Sequence, residues 1–311
     1  MVIEAITPKD RAAWLKARGQ DITASVVGAL FGVHDFVTPY ELWAIKTGRV
    51  RQQDEETDAM RRGRLLEPVA VQILREERPE WQIEHNAAEN TYFRDTERRI
   101  GATPDVIAHC PQRGRGIVQV KSVEAGTYRR KWMDEEGNPE APLWIALQAT
   151  QEAFLTGVEW AAVMPLVIGF GIEAPLIDIP LDTMPGVIDA ITEKAGEFWQ
   201  MVAEDREPSV DYARDGALID RLYAIGDPRE EADLTATPHI IEDIQRRDAL
   251  RREIAAREVE AAGIETRIKA LMGSAEIAHL PGGRTATWKT QKRRGPDGRW
   301  ITARPLRLPK L

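Results

Sequence analysis

An aspartate that follows a proline, and a lysine two residues beyond a glutamine, could together hold a divalent cation and a water molecule. The aspartate is Asp105, in Thr103-Pro104-Asp105, and the lysine is Lys121, in Gln119-Val120-Lys121; fourteen residues separate Asp105 from Gln119. If 116–122 is a strand, its side chains alternate between faces, so Ile117, Gln119 and Lys121 share one side while Val118 and Val120 take the other. A hairpin to a second strand that starts at Asp105 sets the carboxylate beside Gln119 and Lys121. Carboxylate and amide oxygens suit a hard cation, which activates water and polarises a phosphate. The ammonium can orient that water and offset developing charge. The same letters also fit a strand-end turn followed by a half-exposed strand with one snorkelling lysine.

The elements that must position these residues are readable on both sides. Thr7-Pro8-Lys9-Asp10 predicts a helix start, with Trp14 and Arg18 on the helix and a stop near Gly19. Thr23 opens a second short helix through Ala29 and Leu30, and Thr38-Pro39-Tyr40-Glu41 a third, ended by Gly48. A longer helix spans 55–78, halted by Pro79. Strands are predicted at 81–85, 91–93, 104–109 and 116–123, then a helix over 142–156, paired apolar strands within 160–172, and a helix through Phe198 and Trp199. This order predicts an α/β fold with a mixed central sheet flanked by helices, in a domain over 1–215. Residues 216–239 lose periodicity and read as a linker. The C-terminal part, 240–311, holds a long helix over 241–272 with Ile244, Ile254, Ile264, Ile268 and Leu271 as a candidate apolar stripe, read as a packing or oligomerisation arm. A hairpin around Pro281-Gly282-Gly283 follows.

Composition bounds the function without naming it. Apolar residues make up 43% and charged residues 30% of 311 positions, as in ordinary globular proteins. The single Cys110 excludes an internal disulfide framework and fits a reducing cytosol. MVIEAITPKD has no basic region ahead of an apolar run, and 160–172 is too short to span a bilayer, so neither export nor a membrane is expected. A net charge of −8 argues against simple DNA coating, but residues 281–311 carry nine basic groups against the lone Asp297. Lys289, Lys292, Arg293, Arg294 and Arg299, with Trp288 and Trp300 interleaved, could meet phosphates and stack on a base, or form a solvated tail with packed tryptophans.

Several further segments give the central pattern a family setting. Trp14-x-x-x-Arg18 with Ile22-Thr23-Ala24-Ser25, Thr38 to Trp43 with Lys46-Thr47-Gly48, Gly63-Arg64-Leu65-Leu66-Glu67-Pro68, and Gln148 and Gln151 ahead of Phe154 and Thr156-Gly157 stand in one order. With the Pro-Asp…Gln-x-Lys core they resemble the YqaJ-like viral recombinases and lambda-exonuclease-type nucleases of the PD-(D/E)XK superfamily. The likeness runs from about Trp14 to Glu207-Pro208. It implies a restriction-endonuclease-like core that degrades one strand of duplex DNA from its 5′ end with Mg²⁺. It also implies action on DNA ends beside a single-strand annealing protein, a homo-oligomer (often a ring-shaped trimer), and a phage or prophage setting in the bacterial cytoplasm.

Carried over residue by residue, the resemblance implies Asp105, Glu67, Gln119 and the Val120 main-chain carbonyl as metal ligands and Lys121 as the catalytic lysine. Asp95 resembles an additional acid near the site or, equally, a turn residue. Arg18, Ser25, Thr103 and Gln151 match positions that hold the 5′-phosphate, with Gln148 one turn before Gln151 as a sharer of that role. At 119 the family has an acid. A glutamine there offers an oxygen but no charge, which weakens Mg²⁺ binding or moves preference towards Mn²⁺. Two alternatives to the exonuclease stand beside it: a catalytically impaired DNA-end-binding protein, to which Gln119 points, and an endonuclease on branched or specific DNA, since the same core serves both classes.

Overall fold

The computed structural model describes residues 3–50, 57–294 and 299–309 of the chain, in two compact units that divide between Gly226 and Asp227. The first unit begins with β1 (Ile3–Ile6), α1 (Arg11–Gly19), β2 (Ile22–Thr23), a 3-10 segment (Ala24–Phe31), α2 (Pro39–Lys46) and α3 (Asp58–Glu77). Short strands follow: β3 (Gln82–His85), β4 (Tyr92–Asp95), β5 (Ile100–Ala102), β6 (Val106–Cys110) and β7 (Gly114–Glu124). Then come α4 (Ala125–Lys131), α5 (Leu143–Thr156), β8 (Trp160–Ile168), β9 (Ile172–Glu173), β10 (Ile177–Ile179), α6 (Met184–Ala203) and α7 (Gly216–Leu222).

The larger sheet has the order β10-β8-β7-β6-β3, with β9 on β8. β6 and β7 form an antiparallel hairpin, whereas β7 and β8 run parallel, so the sheet is mixed as expected. Period-two alternation on β7 and β8 sorts their side chains. Val118, Val120, Ala162, Met164 and Leu166 join Ala70, Val71 and Leu74 of α3 on one face. Ile117, Val123, Ala161 and Val163 join Ile145, Ala149 and Ala153 of α5 on the other. A smaller sheet, β1-β4-β5-β2, contributes Ile22, Ile100 and Ala102 to a third cluster that includes Leu147 and Leu155 of α5. α5 is thus packed on both sides.

Most segments of the family-like motifs serve this packing. Thr38 caps α2 by accepting from the Glu41 N–H at 3.0 Å, and Tyr40, Leu42 and Trp43 are buried below it. Lys46 donates to the carbonyls of Arg18, Gly19 and Asp21, which closes the C-terminal end of α1 with a charge of favourable sign. Gly28 has no side chain because Trp144 lies against it: a Cβ there would stand 2.7 Å from the Trp144 Cβ.

Several boundaries differ from the sequence reading. The first helix starts at Arg11 and is capped by Asp10, whose carboxylate accepts from the Ala13 N–H at 2.7 Å; Thr7 stays extended after β1, which is held in a ladder with β4. Residues 55 and 56 of the predicted 55–78 helix lie outside the described residues; from Thr57, its cap, the helix is as expected through Glu77. The predicted linker begins as α7, whose Leu218 is buried in the third cluster, so the first unit continues past residue 215. Seven residues are too few for a periodic signal, and burial of one leucine holds them.

The second unit contains α8 (Ile240–Met272), the hairpin β11 (Ile277–Leu280) with β12 (Arg284–Thr287), and β13 (Gln291–Arg294) paired with β14 (Trp300–Ala303). Gly282 and Gly283 supply the positive φ of the turn, at 75° and 73°. On α8 the stripe residues Ile244, Ile254, Ile264 and Leu271 are exposed, and Met272 is the helix's buried residue. Trp288 stacks under the Arg304 guanidinium at 3.8 Å and donates its indole N–H to the Arg304 carbonyl, so it packs within its own unit. Trp300 is exposed, with Arg294 over its ring at 5.6 Å. The Arg293 side chain, 295–298 and 310–311 lie outside the described residues.

The contact at Gly28 and the open surface at Gly63 make opposite predictions. Gly28→Ala forces the 3-10 segment from α5 and lowers stability by about 1–3 kcal/mol, as overpacking does. Gly63→Ala, in mid-helix with nothing within 4 Å of the added Cβ, raises stability by about 0.5–1 kcal/mol. Thermal unfolding of the two variants beside the parent checks both signs.

Candidate functional site

The β6–β7 hairpin brings Asp105 to Gln119 and Lys121. Its ladder pairs Val106 with Val118, so Asp105, one residue before β6, stands opposite Gln119 on the face that holds α5. The Asp105 carboxylate accepts from the Val120 backbone N–H at 2.9 Å and from the Gln119 amide through the same Oδ2. The Gln119 amide also donates to the Val120 carbonyl at 3.3 Å, and its Oε1 is buried with no hydrogen-bond partner. Lys121 reaches across to α5, where its Nζ donates to Gln148 Oε1 at 2.9 Å. The turn before Asp105 is held from behind by Asn86, which donates from its side chain to the Pro104 carbonyl and from its backbone to the Asp105 carbonyl.

Glu67 comes to this group from α3. Its carboxylate takes a hydrogen bond from His85 Nε2 at 2.7 Å, and His85 ends β3 opposite Val106, next to Asp105. Burial pushes the Asp105 carboxyl up to about 7, and the nearby Glu67 charge adds to the rise, against the pull of Lys121 and the Val120 N–H. A second acid behaves alike. Glu152, buried on α5, is pushed up to about 8 by burial and by Asp105, against Gln148, Lys121 and Arg18.

A separate cluster gathers around Arg18. Its guanidinium donates to Ser25 Oγ at 3.1 Å and to Thr103 Oγ1 at 3.4 Å, and lies 4.2 Å over the Trp14 ring. Trp14 donates to the same Thr103 hydroxyl at 3.3 Å, and Thr23 and Ser25 share a hydrogen bond. Burial lowers the Arg18 pKa, offset in part by Tyr92 and Glu152. Ser25, Thr103 and Arg18 therefore meet as the sequence predicts.

Gln151 does not join them as a free donor. Fully buried, it gives its amide N–H groups to the carbonyls of Ile22 and Gly101 at 3.0 Å each, which ties the parallel β2–β5 pair to α5. Gln148 points instead to Lys121. Asp95 is a turn residue: it accepts from the backbone of Glu97 and Arg98 and pairs with the Arg98 side chain. Sequence reasoning did not single out Glu152 or His85. A signal for Glu152 exists, since it is the one charged residue in the otherwise uncharged helix Leu143–Thr156. His85 has none, because its nearness to Glu67 depends on how α3 crosses β3.

The donors at the hairpin fit a hard cation. The Asp105 and Glu67 carboxylates, the unpartnered Gln119 oxygen and the Val120 carbonyl are oxygens of the kind a hard cation takes, and a cation would offset the burial and the Glu67 charge that lift Asp105. No three His, Cys, Asp or Glu side chains among the described residues are grouped to hold a metal ion; the further side-chain oxygen beside Asp105 is that of Gln119. Half a turn of its amide would put Oε1 beside Asp105 Oδ2, an arrangement that either a cation between the two oxygens or a proton on Asp105 would satisfy.

The chain is similar to several known proteins. Residues 13–159 match the family described as the YqaJ-like viral recombinase domain. The chain is 25% identical to the uncharacterized protein YqaJ of Bacillus subtilis (strain 168) over 286 residues, which cover 90% of this chain and 83% of that one. Among solved structures, an alkaline exonuclease (LHK-Exo) from Laribacter hongkongensis is 18% identical with a TM-score of 0.45, covering 67% of this chain and 98% of its own. A phage related exonuclease from Haemophilus somnus 129PT is 13% identical with a TM-score of 0.41, covering 59% and 96%. Residues 13–159, the segment similar to the YqaJ-like viral recombinase domain, carry every side chain of both clusters.

Proposed function

We propose that this chain is a divalent-metal-dependent deoxyribonuclease that removes nucleotides from the 5′ end of one strand of duplex DNA. The observation that carries the reading is the pairing of two clusters: Asp105, Gln119 and Lys121 beside Glu67, and the Arg18, Ser25 and Thr103 donor group, with the buried Glu152 near both Asp105 and Arg18. When bound, Mg²⁺ or Mn²⁺ supplies activation of water and polarisation of the scissile phosphate. Asp105, Glu67, the Gln119 oxygen and the Val120 carbonyl hold it. Lys121 orients the water and balances charge on the phosphate in the transition state. Arg18, Ser25 and Thr103 donate to a terminal phosphate, where the Arg18 guanidinium, already stacked on Trp14, loses little freedom on binding. Gln151 has no direct part in this, since its N–H groups are committed to backbone carbonyls.

The assay is digestion of 5′-phosphorylated linear duplex beside the same DNA as a closed circle. Linear DNA shortens with Mg²⁺ or Mn²⁺, the circle persists, and Asp105→Ala loses about a hundredfold or more of the rate. Binding of ends without cleavage would instead favour a silent end-binding protein, the reading to which Gln119 points. Arg18→Ala tests the second cluster. Its rate on 5′-phosphorylated ends drops by about tenfold to a hundredfold while its rate on 5′-hydroxyl ends changes little, because only the charged contact is lost. Equal loss on both ends removes Arg18 from the phosphate role.

A pH series tests the electrostatics without DNA. Asp105 and Glu152 titrate at about 7 and about 8 in the folded protein, above their ordinary 3.8 and 4.5. The folded state thus holds more protons than the unfolded one across that window, and stability from these groups falls as pH rises from about 4 to about 8. In chelator, Tm declines over this range, and Asp105→Asn flattens the decline. Added Mg²⁺ binds the deprotonated carboxylates, so it raises Tm more at pH 8 than at pH 5. A larger Mg²⁺ shift at pH 5 would sink the assignment of Asp105 as a ligand.

A further inference from the structure

Glu152 is 1% exposed and sits on a helix packed between two layers. One carboxylate oxygen accepts from Gln148 Nε2 at 2.8 Å, and the other is buried with no hydrogen-bond partner. An ionisable group so placed costs stability, so its role lies in what it holds. Gln148 is one turn earlier on the same helix face, four residues away, and its Oε1 accepts from Lys121 Nζ at 2.9 Å. A primary amide has one accepting and one donating end. Commitment of its NH₂ to Glu152 leaves only the oxygen for Lys121. With that acceptor gone, the amide is free to flip, and an NH₂ turned towards an ammonium offers it nothing.

We propose that Glu152 is the positioning residue for Lys121: it fixes the Gln148 amide with its oxygen outward, and so holds the ammonium beside the Asp105–Gln119 pair. The geometry is independent of DNA, while its consequence for cleavage rests on the nuclease reading above. Trp144 limits the alternatives open to the ammonium, which lies 5.5 Å from the centre of that ring and gains from its face. Glu152 makes no contact with substrate in this role and acts through Gln148.

The test separates the positioning from the chemistry. Lysine acylation by a small activated ester, followed residue by residue with peptide mass spectrometry in metal-free buffer, reads the freedom of Lys121 whether or not the chain cuts DNA. Glu152→Ala raises the Lys121 acylation rate several-fold against the exposed Lys9 and Lys131 as internal references, and lowers kcat on linear duplex by about tenfold or more with KM little changed. Glu152→Gln, whose amide oxygen can still accept from Gln148, recovers most of both. Should the alanine variant fail to fold, Gln148→Met, which removes the acceptor and leaves the carboxylate, is expected to free Lys121 to the same degree. Unchanged acylation of Lys121 in the folded Glu152→Ala or Gln148→Met protein overturns the proposal. The expected acylation pattern in a parent chain that cuts no DNA upholds the positioning and overturns only the nuclease reading.

Discussion

A helix buried on both sides must find most of its polar partners from within, and α5 is such a helix, with one oxygen each of Gln151 and Glu152 left unpartnered. Ten of its fourteen residues are buried, among them Gln148, Thr150, Gln151, Glu152 and Thr156. The two threonines return their hydroxyls to carbonyls one turn back, of Ala146 and Glu152. Gln151 ties down the strands on one side, and Gln148 meets Lys121 on the other. Apolar packing sets the spacing of the layers, and these few directed bonds set their register. The Arg18 group, which borders the small sheet, and the Asp105 group, which borders the large one, therefore keep a fixed relation. That relation is what a nuclease needs if it is to hold a terminal phosphate while it cuts at a neighbouring one.

The family-like motifs divide into those that build and those that act. Thr38, Tyr40, Trp43 and Lys46 build: they cap, fill or tie, and none reaches either cluster of site side chains directly. Lys46 still matters to the second cluster, since its three carbonyl contacts fix the turn that follows Arg18. Desolvation lowers its pKa to about 8, a cost offset by those three acceptors and by Asp21. Glu67, the proposed acid of α3, is held by a strand residue, His85.

What was legible in the sequence followed strict geometric periods. The two-residue alternation of a strand and the short connection between Asp105 and Gln119 sufficed to set Asp105, Gln119 and Lys121 on one face, and the observed register agrees. The α/β class, the mixed sheet, the short helical segment after Thr23 (3-10 in the structure) and the hairpin at Pro281 were legible for similar reasons. Relations across layers were not. Gln148 and Gln151 are three apart on one helix, and only the packing of α5 decides that one faces Lys121 and the other two backbone carbonyls. Asp10 displaced Thr7 as the first cap because pairing of β1 with β4 keeps the preceding chain extended. The apolar residues of α8 were read as a stripe, and all of the ones predicted except the half-buried Ile268 stay exposed on a helix whose own unit is too small to cover them.

Glutamine at 119 changes the resting state of the proposed metal site as well as its charge. Two carboxylates in that position would repel one another, and a cation would meet an open, strongly negative pocket. Here the Gln119 amide donates to Asp105 and so satisfies it without metal. A cation held there would require that bond to break and the amide to turn, and would compete with the proton of an acid that burial pushes up to about 7. Each step weakens binding relative to a site of three acids, and Mg²⁺, which gives up its waters reluctantly, is penalised most. The same hydrogen bond holds the hairpin in its working geometry before any ion arrives. Under the proposed reading, such a site would exchange metal affinity for a preformed shape, and metal concentration and pH, rather than folding, would set how much of the protein is ready to act.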